Sequence, residues 1–169
     1  GCIYVFKPPE VGVRYVAGGD MAEGRGGDAS VVPIVGIKGV TPELVAIAYS
    51  NKLTTDTFAY HCYEFLREYF TPYLVCNGDS WGQAFLKDLL LLGYPQEMIY
   101  YSDDKKLKPG YMESSQAVGS RNSKRMLPII ELAKSVKAGM IIPFKPAIVE
   151  MFGFQAGESG KWEAAPGGH

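Results

Sequence analysis

Hydrophobic and polar positions along the chain change period twice. Residues 12–20 alternate small and large apolar groups, which predicts a strand. Residues 29–37 predict a second, and residues 43–50 ("ELVAIAYS") a third after the Thr41-Pro42 turn. A Gly-rich turn joins the first two into a β-hairpin, and the three in succession make a meander. Helical spacing then takes over. Phe58, Cys62, Phe65, Leu66 and Tyr69 fall on one face behind Thr54 or Thr55 as N-cap, and Thr71-Pro72 stops the helix. "YLVC" predicts a short buried strand. Ser80 with Gln83 reads as a capping box opening the helix "WGQAFLKDLLLLG", which Gly93 closes. "EMIYY" predicts another strand. Residues 102–121 show no clear period and read as a long loop, a length that in a domain goes with function or mobility. A helix is predicted near 123–138, with Pro128 in its first turn or at a kink and Gly139 as its stop. "GMIIP" predicts a short strand, "KPAIVEMFGFQ" a helix or helical turn and "GKWEAA" a last short strand.

The order β-β-β-α-β-α-β-loop-α is the ribonuclease H-like arrangement: an α/β fold with one mixed sheet, a three-strand meander followed by αβ units, and helices on its faces. The 169 residues suffice for a single domain spanning 1–169. Composition adds little, since 47% apolar and 21% charged residues are ordinary soluble values. No apolar run approaches the roughly 18–20 residues of a membrane span, so no membrane partner is expected. The start "GCIYVFKPPE" lacks the basic n-region of a secretory signal and an initiator Met, and reads as the start of an excised fragment. Cys2, Cys62 and Cys76 are too few and too scattered for a disulfide framework or a zinc site, which fits a reduced, cytoplasmic setting.

Charge changes the picture through its distribution. Residues 101–145 hold nine Lys/Arg and four Asp/Glu, net +5, so the rest of the chain, with eight and fourteen, carries net −6. This is either a fluctuation on solvated faces or a basic surface beside an acidic pocket. On the second reading Lys105, Lys106, Lys108, Arg121, Lys124 and Arg125 are the candidates for phosphate contact.

The acidic side centres on "GGDMAEGRGGDAS", residues 18–30. In the expected sheet the first strand is central and the strand at 73–77 lies beside it, about 4.8 Å away. An acid ending the first, Asp20, and polar residues ending the second can therefore meet around one cation. In "VCNGDSWG" Asn77 and Asp79 are two apart and face the same way if the chain stays extended. Hard divalent cations such as Mg²⁺ take carboxylate oxygens, and a pair of them can hold and split a phosphodiester. The glycines would open the turn to a nucleic-acid backbone. Taken alone, Asp20 is equally a turn aspartate bonding nearby N–H groups, and Asn77-Gly78-Asp79 a plain strand-to-helix turn. Glu23 reads as solvated and Asp28 as the residue closing the hairpin loop; both are second-tier site residues. His61 reads as a surface or structural residue, Cys76 as a buried small hydrophobe, and Trp81 and Trp162 as packing residues. No G-x-x-x-x-G-K-[ST] phosphate loop is present.

At these residues the chain resembles the nuclease domain of the large terminase subunit of tailed bacteriophages, over nearly its whole length. "GGDMAEGRGGDAS" resembles the family's strand-Asp-x-Ala-Glu-Gly-loop-Asp-x-Ser signature. "LVCNGDSWGQAFLKDLLLLGYP" resembles its second acidic segment, "SRNSKRMLPIIELAKSVKAGMIIP" the following helix-strand unit, and "ESGKWEAAPGGH" the run into a terminal His-Asp-Asp motif. The resemblance implies an endonuclease that cuts concatemeric viral double-stranded DNA with a two-ion Mg²⁺ or Mn²⁺ site. It would work in the cytoplasm of an infected bacterial cell, beside an N-terminal ATPase domain that precedes Gly1, a small terminase subunit and a portal. The family's first acid falls on Asp20. The second falls on Asn77, with Asp79 where the family often has Asn: either the two have exchanged roles, or Asn77 is an Asp-to-Asn substitution that disables the site. The third acid is expected just past His169, which puts His169 at the edge of the metal site. A non-catalytic DNA-guiding module is the alternative. A nucleotide or sugar-phosphate binder is the third reading, for which the chain is short and lacks a second phosphate loop.

Overall fold

Alternation along residues 30–37 and a continuous buried run at 44–48 build a sheet against a core. A computed structural model of the chain describes residues 2–101, 109–110, 126–156 and 162–164. Its strands are β1 (Ile3–Val5), β2 (Arg14–Gly19), β3 (Ser30–Lys38), β4 (Thr41–Ser50) and β5 (Tyr73–Cys76), in the order β1-β4-β3-β2-β5. β2 pairs antiparallel with β3 and parallel with β5, so the Asp20-bearing strand is interior and has the expected neighbour at 73–77; it stands next to the edge strand β5, and the middle of the five is β3. Along β3 the period-2 rule holds, with Ser30, Val32 and Ile34 buried between half-buried neighbours. In β4 the five residues Leu44–Ala48 are all buried, as befits an interior strand.

Helices α1 (Thr55–Glu68) and α2 (Ser80–Leu91) supply the other half of the core. α1 buries Phe58, Ala59, Cys62, Phe65 and Leu66; α2 buries Gly82, Phe85, Leu86 and Leu89. Phe58, Cys62, Phe65 and Leu66 belong to the stripe read from the sequence; Ala59 joins it, and α2 follows the same i, i+3, i+4 spacing. Phe58 and Phe85 meet at 6.1 Å between ring centroids, and the stripes close over Ala17, Ile34, Ala46, Leu74 and Cys76 of the sheet. His61 is exposed on the outer side of α1, edge-on to Tyr60. Tyr69 donates its hydroxyl to the Lys7 carbonyl (2.6 Å), and burial pushes its phenol up to about 12.

One strand is new and three expectations are corrected. β1 had no signal because its three residues are all exposed and so do not alternate; it pairs antiparallel with β4 through Tyr4 opposite Ile47. The strand expected at "EMIYY" is a 3-10 turn over Gln96–Met98, after which Ile99 makes a single parallel bridge to Leu74. α2 is capped by Asp79, not Ser80: the Asp79 carboxylate accepts from Gly82 N at 2.8 Å, while the Gln83 side chain donates to the Pro109 carbonyl rather than back to the cap. The strand expected at 139–143 amounts to one bridge, Ile141 beside Glu43.

The described residues form two compact units. One holds the residues up to 40 and those from 44 to 110, and contains the five-stranded core just described. The other holds 41–43 and the described residues from 126 onward. It comprises α3 (Met126–Lys137), with Pro128 in its first turn, α4 (Lys145–Gly153), and an antiparallel pair β6 (Phe154–Ala156) and β7 (Trp162–Ala164). The helix predicted from Lys145 therefore ends at Gly153 and its last residues open β6. Among the described residues no helix is long and apolar enough to cross a membrane.

Burial of Cys62 and Cys76 generates a test. Burial raises both thiols well above the ordinary value, and for Cys76 the nearby Asp20 and Asp79 carboxylates add to it. In the folded protein at mild alkaline pH, Cys2 should react with a thiol reagent while Cys62 and Cys76 react only after denaturation. A thiol whose pKa is raised on folding stabilises fully below its unfolded pKa of about 8.5. Stability should therefore be lost as pH climbs above that value. Prompt labelling of three thiols in native protein would contradict this packing.

Candidate metal centre

The register of β2 and β5 builds the site. Gly19 lies opposite Cys76 in the parallel ladder, and the Asn77 N–H donates to the Gly19 carbonyl at 2.9 Å. The next residues on the two strands, Asp20 and Asn77, therefore leave the sheet side by side at its carboxyl end, where open α/β sheets place ligands. Asp20 is still held to the hairpin by reciprocal backbone bonds with Val31 (3.0 and 2.8 Å). From Asn77 the chain turns through Gly78 into Asp79, the N-cap of α2.

Three side chains converge as the sequence predicted. Asn77 Nδ2 donates to Asp20 Oδ1 at 2.8 Å and to Asp79 Oδ2 at 2.8 Å. Its Oδ1 accepts from Met21 N at 3.3 Å and lies 3.5 Å from the Cys76 thiol. The amide orientation follows from this network: the oxygen meets the N–H and S–H donors, and the NH₂ faces the two carboxylates. One neutral amide thus stands between two carboxylates, in charge-assisted hydrogen bonds.

Gly82 makes the junction possible. A Cβ built there would fall on the Asn77 carbonyl oxygen and against its Oδ1 at 2.5 Å. Only a glycine lets the first turn of α2 descend onto the strand end and bring Asp79 to Asn77. Gly24 does comparable work across the site: its φ is +77°, and a Cβ would fall on the Leu53 carbonyl. With Gly26 N bonded to the Asn51 carbonyl at 2.7 Å, the glycine loop is tethered to the 51–53 turn. Buried Ser30 closes its base, accepting from Ala22 N at 3.0 Å and donating to the Ala22 carbonyl.

Loop and helix enclose a cavity of about 600 Å³ whose walls include Asp20, Glu23, Arg25, Asp28, Asp79 and Trp81. Glu23 is ion-paired with Arg25 at 3.0 Å. Both second-tier acids, Glu23 and Asp28, thus face the cavity of the first-tier ones. Arg25 and Trp81 are additions. Arg25 carried no signal, being one cation in an acidic loop, and Trp81 read as packing yet is 42% exposed. Lys105, Lys106, Lys108, Arg121, Lys124, Arg125 and His169 lie outside the described residues.

Whether the donors suit a cation depends on Asn77. Asp20 and Asp79 offer the carboxylate oxygens that hard cations take. The Asn77 nitrogen, a donor only, occupies the place between them, so a cation shared by the two requires the amide to turn its oxygen forward and release Met21 N. With that turn the set suits one ion. Among the described residues no group of three or more His, Cys, Asp or Glu is arranged to hold a metal, so they do not by themselves furnish a two-ion centre.

The Gly82 contact is directly testable. Gly82→Ala should cost about 1–3 kcal/mol or more, since the new Cβ meets backbone that cannot move without parting Asp79 from Asn77. Denaturant unfolding measures it, and unchanged stability would show that the close approach is wrong.

No protein-family model matches the sequence, and no curated protein is significantly similar to it. Solved structures do match. The large terminase nuclease from thermophilic phage G20c with bound magnesium superposes with a TM-score of 0.67 at 15% identity, covering 100% of this chain and 81% of that one. That nuclease has also been solved with cobalt and with zinc. The large terminase nuclease domain of Thermus phage P74-26 gives a TM-score of 0.64 at 16% identity, covering 96% and 74%. That of P22 gives 0.59 at 11% identity, covering 94% and 78%. The chain therefore has the ribonuclease H-like fold of the large-terminase nuclease domains.

Proposed function

We propose that this chain is the nuclease module of a viral DNA-packaging motor, a divalent-metal-dependent endodeoxyribonuclease for concatemeric double-stranded DNA whose activity is restrained by Asn77. The observation that carries the reading is the convergence of two carboxylates, Asp20 and Asp79, from adjoining strand ends onto one small polar centre. Mg²⁺ or Mn²⁺ held by Asp20 and Asp79, with Asn77 through its oxygen, would polarise the phosphodiester and lower the pKa of an attacking water. The chain's own part is positional. Gly82 and the cap bond of Asp79 fix one carboxylate, the β2–β5 register fixes the other, and Arg25 offers a guanidinium to a phosphate. A second ion would draw on donors from the His169 region, as the family resemblance implies. The same resemblance supports an N-terminal ATPase domain, a small terminase subunit and a portal as partners, an infected bacterial cytoplasm as the setting, and residues 1–169 as a single domain of a larger chain.

One observation favours the alternative of a non-catalytic DNA-guiding module. The Asn77 amide already donates a hydrogen bond to each carboxylate, and its nitrogen stands where a shared cation would sit.

Plasmid nicking in Mg²⁺ and Mn²⁺ separates the two, using a chain that extends past His169. The natural sequence should nick slowly, Asp20→Ala should abolish nicking, and Asn77→Asp should raise it by about 100-fold, the scale on which a misplaced catalytic group costs rate. Equal cutting by Asp20→Ala would sink the nuclease reading. DNA binding that weakens with salt, with no cutting even by Asn77→Asp, would establish the guiding module.

A further inference from the structure

The indole of Trp81 is unexplained by the packing of the fold. α2 turns Gly82, Phe85, Leu86 and Leu89 to the core. Trp81, in the same first turn, points away from that stripe, is 42% exposed, and lines the cavity that also holds Asp20 and Asp79. Large aromatic side chains usually bury most of their area, so an indole left open among carboxylates, glycines and a guanidinium is notable for where it stands as well as for its exposure. The cavity of about 600 Å³ is of the size that takes a small organic ligand. Its walls include the Arg25 guanidinium, which pairs with Glu23 through Nε and so keeps its two terminal nitrogens for an anion, and the flat apolar surface of Trp81.

Those two surfaces match the two parts of a nucleotide, phosphate and base. In an intact duplex the base faces are covered by their neighbours, and an indole reaches only edges and backbone. A face becomes available where the strand is unpaired, frayed or flipped. We propose that Trp81 is a stacking platform for an unpaired nucleotide beside the Asp20–Asp79 centre, so that the site engages a locally single-stranded stretch of its DNA. This rests on the nuclease reading above and adds to it the form of the strand. Trp81 is a positioning residue on this view, since it meets the base and not the reacting phosphate.

Binding without cleavage tests it. A short labelled oligothymidylate and a closed hairpin duplex with the same number of phosphates are titrated, in chelator, with the natural protein, Trp81→Phe, Trp81→Ala and Arg25→Ala. Trp81→Ala should weaken oligothymidylate binding by about 10-fold or more, the scale of one lost base stack. Trp81→Phe should retain most of it, and duplex binding should change by less than about twofold in either variant. The salt dependence should stay the same in Trp81→Ala and become shallower by about one phosphate contact in Arg25→Ala. If Trp81→Ala fails to fold, indole quenching by oligothymidylate in a Trp162→Phe background reads the same contact. Unchanged oligothymidylate binding by Trp81→Ala, an equal loss on duplex, or no quenching would overturn the platform. Failure of the natural protein to bind either nucleic acid both in chelator and in Mg²⁺ would bring down the nuclease reading itself.

Discussion

Everything at the site depends on one ladder. β2 and β5 run parallel with Gly19 opposite Cys76, and the bond from Asn77 N to the Gly19 carbonyl carries that pairing one residue past the end of β5. Strand side chains alternate faces, so a slip of one residue would send Asp20 and Asn77 to opposite sides of the sheet. The register is held from both sides. Antiparallel pairing to β3 continues through Asp20 and Val31, and the buried Leu74 and Cys76 anchor β5 beneath α1 and α2. The core thus supplies position, and the strand ends supply chemistry.

Asn77 then decides what that chemistry is. Its NH₂ group has two donors and meets two carboxylates at 2.8 Å, a complete match of donors to acceptors. An Asp in the same place would set three carboxylates together, and only a cation or a proton could hold them there. The neutral amide therefore supplies donors and no counter-charge: it gives each carboxylate a hydrogen bond and spares the cluster a third negative charge. Its cost is competition, because the nitrogen stands where a shared cation would bind.

Glycines shape the surroundings by what they omit. At Gly82 the missing Cβ lets a helix settle onto a strand end, and at Gly24 it lets the hairpin loop rest on the Leu53 carbonyl. Both contacts narrow the site around a cavity with definite walls. This differs from an open gap, and explains how an acidic loop, an arginine and an indole come to face the same space.

From residue order came the meander and the two core helices, which follow from period and spacing, local properties written in consecutive residues. The place of the Asp20 strand beside the strand at 73–77, and with it the meeting of positions 20, 77 and 79, came from the ribonuclease H-like arrangement that this order matches. The tertiary structure decided the rest. β1 exists because β4 offers it an edge, Asp79 caps α2 because Gly82 comes within reach, and the amide of Asn77 faces two acids because Met21 N claims its oxygen. Trp81 and Arg25 join the cavity for the same reason. Each of these depends on partners distant in sequence or on the absence of a side chain elsewhere, and no period along the chain records either.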